Sequence, residues 1–219
     1  MGIPAIAPYA MPEESELPEN AVSWRPDPAR AALLVHDMQR YFLRFFPSGT
    51  SPVVDVVANT ARIREAAARA GVPVIYTAQP GGMSRDERGL LHDFWGPGMD
   101  SDPAKREIVP ELAPGEDDVV LTKWRYSAFA HSDLAEILRE QGRDQLLVCG
   151  VYAHVGCLMT ANDAFTMDVQ PFLVADAIAD FTRDYHHLAL RYAAERCAAT
   201  VSTGDTVDCL LGSRVGVAG

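Results

Sequence analysis

The chain has 219 residues, 48% of them hydrophobic, and a formal net charge of −11. That length holds one sizeable α/β core and is short for two full domains. The acidic balance disfavours nucleic acid and anionic membrane as partners, and no apolar run approaches the roughly 18 residues that a membrane helix needs.

Residues 1–28 are rich in proline and acid and show no period. They read as an arm packed over the core, with Trp24 as an anchor, or as a partly disordered leader. No basic segment followed by an apolar stretch marks a signal peptide. Short apolar runs then recur at 31–37, 72–78, 118–123, 144–151, 170–177 and 199–203. Continuous runs of this length read as strands buried on both faces of a parallel sheet. Between them, 53–71 is amphipathic and ends on Gly71, and 132–143 opens on Ser132. Segments 155–168 and 182–196 read as further helices. The alternation predicts an α/β fold: one three-layer, Rossmann-like open parallel sheet of about six strands with helices on both faces. It would span 29–207, with 208–219 a frayed tail. The irregular stretch 79–117 is long enough to be functional.

Open parallel sheets bind ligands beyond the carboxyl ends of their strands. Those ends carry His36, Asp37, Gln39, Thr77, Gln79, Lys123, Tyr126, Tyr152 and Asp176. Asp37 follows an apolar run directly, so it should be poorly solvated. Burial favours a protonated carboxyl and a neighbouring ammonium favours an ionised one; a proton donor or a structural ion pair with Lys123 are both open readings. No glycine-rich phosphate loop occurs, which lowers the odds of a dinucleotide or ATP cofactor. No metal-type His/Cys spacing is present, so neither cofactor nor metal is expected. His186 and His187 are adjacent on a helix, point about 100° apart and read as surface residues. The four cysteines, 149, 157, 197 and 209, form no CxxC pair and fit a reduced, cytoplasmic protein.

Six blocks carry a resemblance: "LLVHDMQRYF" (33–42), "YTAQPGGM" (76–83), "RGLLHDFWGPGM" (88–99), "LTKWRYSAF" (121–129), "GVYAHVGC" (150–157) and "PFLVADAIADF" (171–181). In this order they resemble the isochorismatase-like hydrolases, within them the isochorismatase and phenazine-pathway branch. The resemblance implies a dimeric α/β enzyme that hydrolyses the enolpyruvyl (vinyl) ether of a small dicarboxylate. It implies Asp37 as proton donor, Lys123 as its charged partner, and substrate contacts from Gln79, Arg88, Tyr152 and the backbone at Gly156. Arg88 suits a carboxylate by its bidentate fork. Phe94 and Trp95 would wall the site, residues 79–99 would order on binding, and Phe42 would either join the wall or pack in the core.

In other branches the pattern resembles G-x-A-T-D-x-C, with a nucleophilic cysteine. Laid on Gly150, that pattern puts Gly156 at the nucleophile position and Cys157 one residue beyond, about 100° around a helix. Cys157 is therefore expected to be an inert core residue, and Gly156 to leave room and a free N–H near the substrate. A cis Val151–Tyr152 peptide is also implied by the resemblance. "HDMQRYFLR" and "TAQPG" look like the phenazine type, whose substrate is 2-amino-2-deoxyisochorismate; "GCLMTANDAF" and "FTRD" look like the siderophore type, whose substrate is isochorismate. The amino substrate is the reading preferred. A cysteine amidohydrolase using Cys157 and a non-catalytic binding relative are the remaining alternatives.

Overall fold

The computed structural model describes residues 2–212. Each apolar run forms a strand: β1 Ala31–His36, β2 Val74–Ala78, β3 Val119–Thr122, β4 Gln145–Val151, β5 Gln170–Ala179 and β6 Ala199–Val201. They build one parallel sheet in the order β3-β2-β1-β4-β5-β6. The order runs outward from β1 to one side and resumes at β4 on the other. The β1–β4 boundary is thus the switch point where open sheets leave a crevice.

The helices are α1 Arg40–Leu43, α2 Val53–Ala70, α3 Arg85–Arg88, α4 Leu91–Trp95, α5 Pro103–Arg106, α6 Leu134–Glu140, α7 Leu158–Thr166, α8 Arg183–Arg196 and α9 Thr203–Leu211. A π turn, Ala153–Cys157, leads into α7. Strand side chains alternate between two cores, as a period of two requires. Ala31, Leu33 and Val35 meet Val56 and Ile63 of α2 and Leu210 of α9. Ala32 and Leu34 meet the apolar faces of α6, α7 and α8. Gly71 ends α2 in the left-handed region, φ 67°, capping the carbonyls of Ala67 and Ala68.

The stretch 79–117 is more ordered than its composition predicts. Ser84 and Glu87 form a reciprocal capping box that starts α3. Asp102 caps α5 with Pro103 at its first position.

The N-terminal arm packs on the domain. Ile6 is buried, and the Ile6 N–H donates to the Phe45 carbonyl at 2.9 Å. The Asn20 amide pairs with both backbone groups of Thr200, at 2.9 and 2.7 Å, along the edge strand β6. Trp24 packs against the core, as expected of an anchor.

Two expectations are corrected. The segment from 208 is no frayed tail as far as Leu211, because Ser202 caps α9 and Leu210 is buried; residues 213–219 lie outside the described residues. His186 is not on the surface: it is 0% exposed. It stands one turn before Leu190 on the α8 face that packs on the sheet. Its ring meets the Ala175 carbonyl at 2.9 Å and the Tyr9 hydroxyl at 3.2 Å. Burial lowers its pKa to about 4, so it packs as a neutral imidazole. His187 remains partly exposed.

Candidate active site

The acid lies at the switch point. β1 ends at His36, and Asp37 turns the chain with φ 52°, a left-handed conformation that costs a non-glycine residue free energy. That turn lifts the carboxylate off the sheet edge into a cluster. Oδ1 accepts from the Thr77 hydroxyl at 2.6 Å and Oδ2 from the Lys123 ammonium at 2.9 Å. Asp37 and Lys123 are each 4% exposed. Lys123 is delivered by β3, whose register β2 carries on through the Lys123 N–H to the Ala78 carbonyl at 3.0 Å.

From the other side of the switch point, β4 ends in a cis Val151–Tyr152 peptide. Gly150, with φ 114°, lets that strand lie against β1: a Cβ there would meet the His36 carbonyl oxygen at 2.1 Å. Tyr152 and Gly156 both face the cleft. The Tyr152 hydroxyl donates to the Phe42 carbonyl at 2.8 Å. The Gly156 N–H donates to the Tyr152 carbonyl at 2.9 Å, so it is not free. Gly156 is required for another reason. A Cβ on it would lie 2.1 Å from Cε1 of the His36 ring. His36 is held by the Val151 carbonyl, 2.7 Å from Nδ1. Burial lowers its pKa to about 4, and since a carbonyl only accepts, Nδ1 carries the proton of a neutral ring. Cys157 is fully buried, and burial raises its thiol pKa well above the ordinary value. It is inert packing.

Arg88 closes the cleft from α3. It is 6% exposed, donates through Nε to the Gly96 carbonyl at 2.9 Å, and reaches Gln79 Oε1 from Nη1 at 3.4 Å. Among the described residues it pairs with no carboxylate, so a buried guanidinium retains capacity for an anion. Trp95 lines the cleft and donates from Nε1 to the Tyr126 hydroxyl at 2.7 Å. Phe94 does not line it; it is 66% exposed, because α4 turns it outward. Phe42 lines the cleft and meets Tyr152 edge to face. The cleft therefore gathers Asp37, Lys123, Gln79, Arg88, Tyr152, Gly156, Phe42 and Trp95.

Sequence reasoning assigned no role to Tyr126, Tyr41, Phe181 and Ile3, which also line the cleft. Tyr126 stood on a strand end, which was a signal. Phe181 had none: it is set by Asp180, a fully buried carboxylate that binds the His154 N–H at 2.6 Å, its Nδ1 at 2.7 Å and the Phe181 N–H at 2.8 Å. The cleft is nearly closed, with a cavity volume of about 50 Å³. Residues 79–99 are folded beside it, with α3 and α4 within the stretch contributing Arg88, Leu91 and Trp95 to its lining. A larger groove of about 590 Å³ runs beside β3 and shares Gln79, but holds none of Asp37, Lys123 or Arg88. Size does not decide between them; the acid and the cations do. Among the described residues no cluster of three or more His, Cys, Asp or Glu side chains is placed to hold a metal.

A family model described as "Isochorismatase domain" matches residues 31–205. The chain is 59% identical over 206 residues to a protein named probable isochorismatase from Pseudomonas chlororaphis, covering 94% of this chain and 99% of that one. It is 58% identical over 206 residues to phenazine biosynthesis protein PhzD of Pseudomonas fluorescens, with the same coverage. A crystal structure of a cysteine hydrolase from Pseudomonas syringae pv. phaseolicola 1448A superposes with TM-score 0.81 at 25% identity, covering 88% of this chain and 97% of that one. With a domain match across most of its length and relatives this similar end to end, the chain belongs to the isochorismatase family of hydrolases.

Proposed function

We propose that the chain hydrolyses the enolpyruvyl ether of 2-amino-2-deoxyisochorismate to pyruvate and trans-2,3-dihydro-3-hydroxyanthranilate. The observation that carries this is the buried Asp37–Thr77–Lys123 cluster, opening on a cleft with an unpaired guanidinium and no reactive thiol. A vinyl ether is not an acyl group, so no covalent acyl intermediate is needed. Asp37 gives its proton to the terminal methylene carbon, and the ether becomes an oxocarbenium ion. Lys123 and Thr77 stabilise the carboxylate that this leaves, which strengthens the acid at the moment of transfer. Water adds to the cationic carbon and returns a proton to Asp37. The hemiketal then collapses, its hydroxyl proton passing to the ring oxygen, to pyruvate and the ring alcohol. Arg88 holds a substrate carboxylate through its bidentate fork. Two cations against one carboxylate give the cleft a positive balance within an acidic chain.

The relative named for phenazine biosynthesis supports the amino substrate. The relative named probable isochorismatase supports isochorismate, which would give 2,3-dihydro-2,3-dihydroxybenzoate. Among the described residues Asp37 is the sole acid lining the cleft, so a substrate ammonium finds no separate carboxylate partner among them. A hydroxyl-for-amine exchange then discriminates weakly. Both substrates are expected to release pyruvate, followed with lactate dehydrogenase and NADH, with kcat/KM values within about 10²-fold. Silence on both overturns the proposal.

Cys149, Cys157 and Cys197 stand as buried free thiols, which supports the reducing cytoplasm as the site of action. No helix among the described residues is long and apolar enough to cross a membrane. We assign a homodimer to the exposed apolar groups at the end of α7 and along α8, Phe165, Met167, Tyr185, Leu188 and Tyr192. Sedimentation at the monomer mass would refute it.

A further inference from the structure

Gln39 is 0% exposed, though a carboxamide side chain belongs in water unless every polar atom is paired. Its environment explains the burial. The backbone ladder between β1 and β2 ends at the His36–Thr77 rung, because Asp37 turns away at φ 52°. Beyond that point the two chains no longer meet backbone to backbone. The Gln39 side chain bridges the gap. Its Oε1 accepts from the Gln79 N–H at 2.8 Å, and its Nε2 donates to the Gln79 carbonyl at 3.0 Å. One donor and one acceptor meet one residue's backbone pair, as a peptide group would. The remaining Nε2 hydrogen goes to the Arg106 carbonyl at 2.8 Å. The Gln39 backbone itself pairs with Ile108 in an antiparallel bridge, and flanking bonds join Arg40 to Glu107 and Val109 to Met38.

We infer that Gln39 is a positioning residue for the substrate-binding half of the site. Its carboxamide stands in for the rung that the Asp37 turn removes, and so fixes Gln79 relative to the acid two residues away. Gln79 in turn meets the Arg88 guanidinium at 3.4 Å. The distance from proton donor to carboxylate clamp is therefore set through Gln39, while the Asp37–Thr77–Lys123 cluster is formed without it. The inference rests on the reading of this cleft as an enolpyruvyl-ether hydrolase site.

Gln39→Met keeps the side-chain length without its polar atoms. Gln39→Glu keeps the shape but turns a donor into an acceptor facing two carbonyls. Both are expected to raise KM about 10–100-fold with kcat changed less than about threefold, the split of a binding rather than a chemical defect. In a Gln79→Ala background the KM effect of Gln39→Met should shrink, since the two act as one unit. Unchanged KM, an equal loss in both backgrounds, or failure of both variants to fold would overturn the inference, the last by making Gln39 a residue of the fold alone. A wild-type protein silent on both substrates would instead fail the functional reading, and Gln39 with it.

Discussion

Asp37→Asn is expected to abolish pyruvate release, with kcat lower by at least about 10²–10⁴-fold, or about 3–5 kcal/mol of transition-state stabilisation. Asparagine keeps the size of the side chain and can still accept from Lys123 or Thr77. It has no acidic proton to give to a methylene carbon. The loss should therefore fall on kcat, with KM little changed, because Arg88 and Gln79 are untouched. Cys157→Ala is the contrast. Its sulfur is buried in the core with a raised thiol pKa, so pyruvate release should stay within about twofold of wild type while stability falls modestly. Full activity in Asp37→Asn, or its loss in Cys157→Ala, would transfer the chemistry to another group.

Gly156→Ala is expected to be nearly as damaging, although it adds one methyl group. The new carbon would lie 2.1 Å from the His36 ring, and that ring is pinned by Val151 and packed beside Asp37, with 3.8 Å between Nδ1 and Oδ2. Overpacking of this kind costs about 1–3 kcal/mol, a fall in Tm of about 2–4 °C per kcal/mol for a chain of this size. Movement of His36 displaces the proton donor, and a shift near 1 Å costs about 10² in rate. A double-mutant cycle isolates the cause: in a His36→Ala background, Gly156→Ala should lose most of its added cost in Tm. Equal cost in both backgrounds would refute the contact. Gly156→Cys meets the same ring, so placing a thiol there is expected to give no amidohydrolase.

The sheet was legible because each of its strands is a short continuous apolar run, although only the central ones are buried on both faces and the edge strand β3 exposes Val120 and Thr122. Gly71 was legible as a left-handed cap for the same local reason. Site residues were legible where they stood on strand ends: Asp37, Lys123 and Gln79 all lie at the carboxyl edge. What stayed hidden depends on partners distant in sequence. The Gly156 N–H looked available because nothing local shows that the Tyr152 carbonyl takes it. Phe181 enters the cleft through Asp180, which is tied to Tyr9 across 171 residues. His186 looked like surface because a pair of adjacent histidines does not say which of them faces the sheet. Helices α3 and α5 could have been found locally, since Ser84 and Glu87 spell a capping box and Asp102-Pro103 a capped helix start.

The strand order also has a temporal reading. A ribosome delivers Asp37 early, yet its immediate sheet neighbour on one side is β4, whose Val151 carbonyl holds His36 across 115 residues. Lys123 comes 86 residues after the acid it pairs with, and Phe181 later still. Such non-local pairings close slowly and late. A nascent chain thus carries its acid for most of synthesis without a pocket around it. No contiguous fragment that stops before Phe181 holds the whole constellation, so the pocket closes around the acid only once the chain has passed β5.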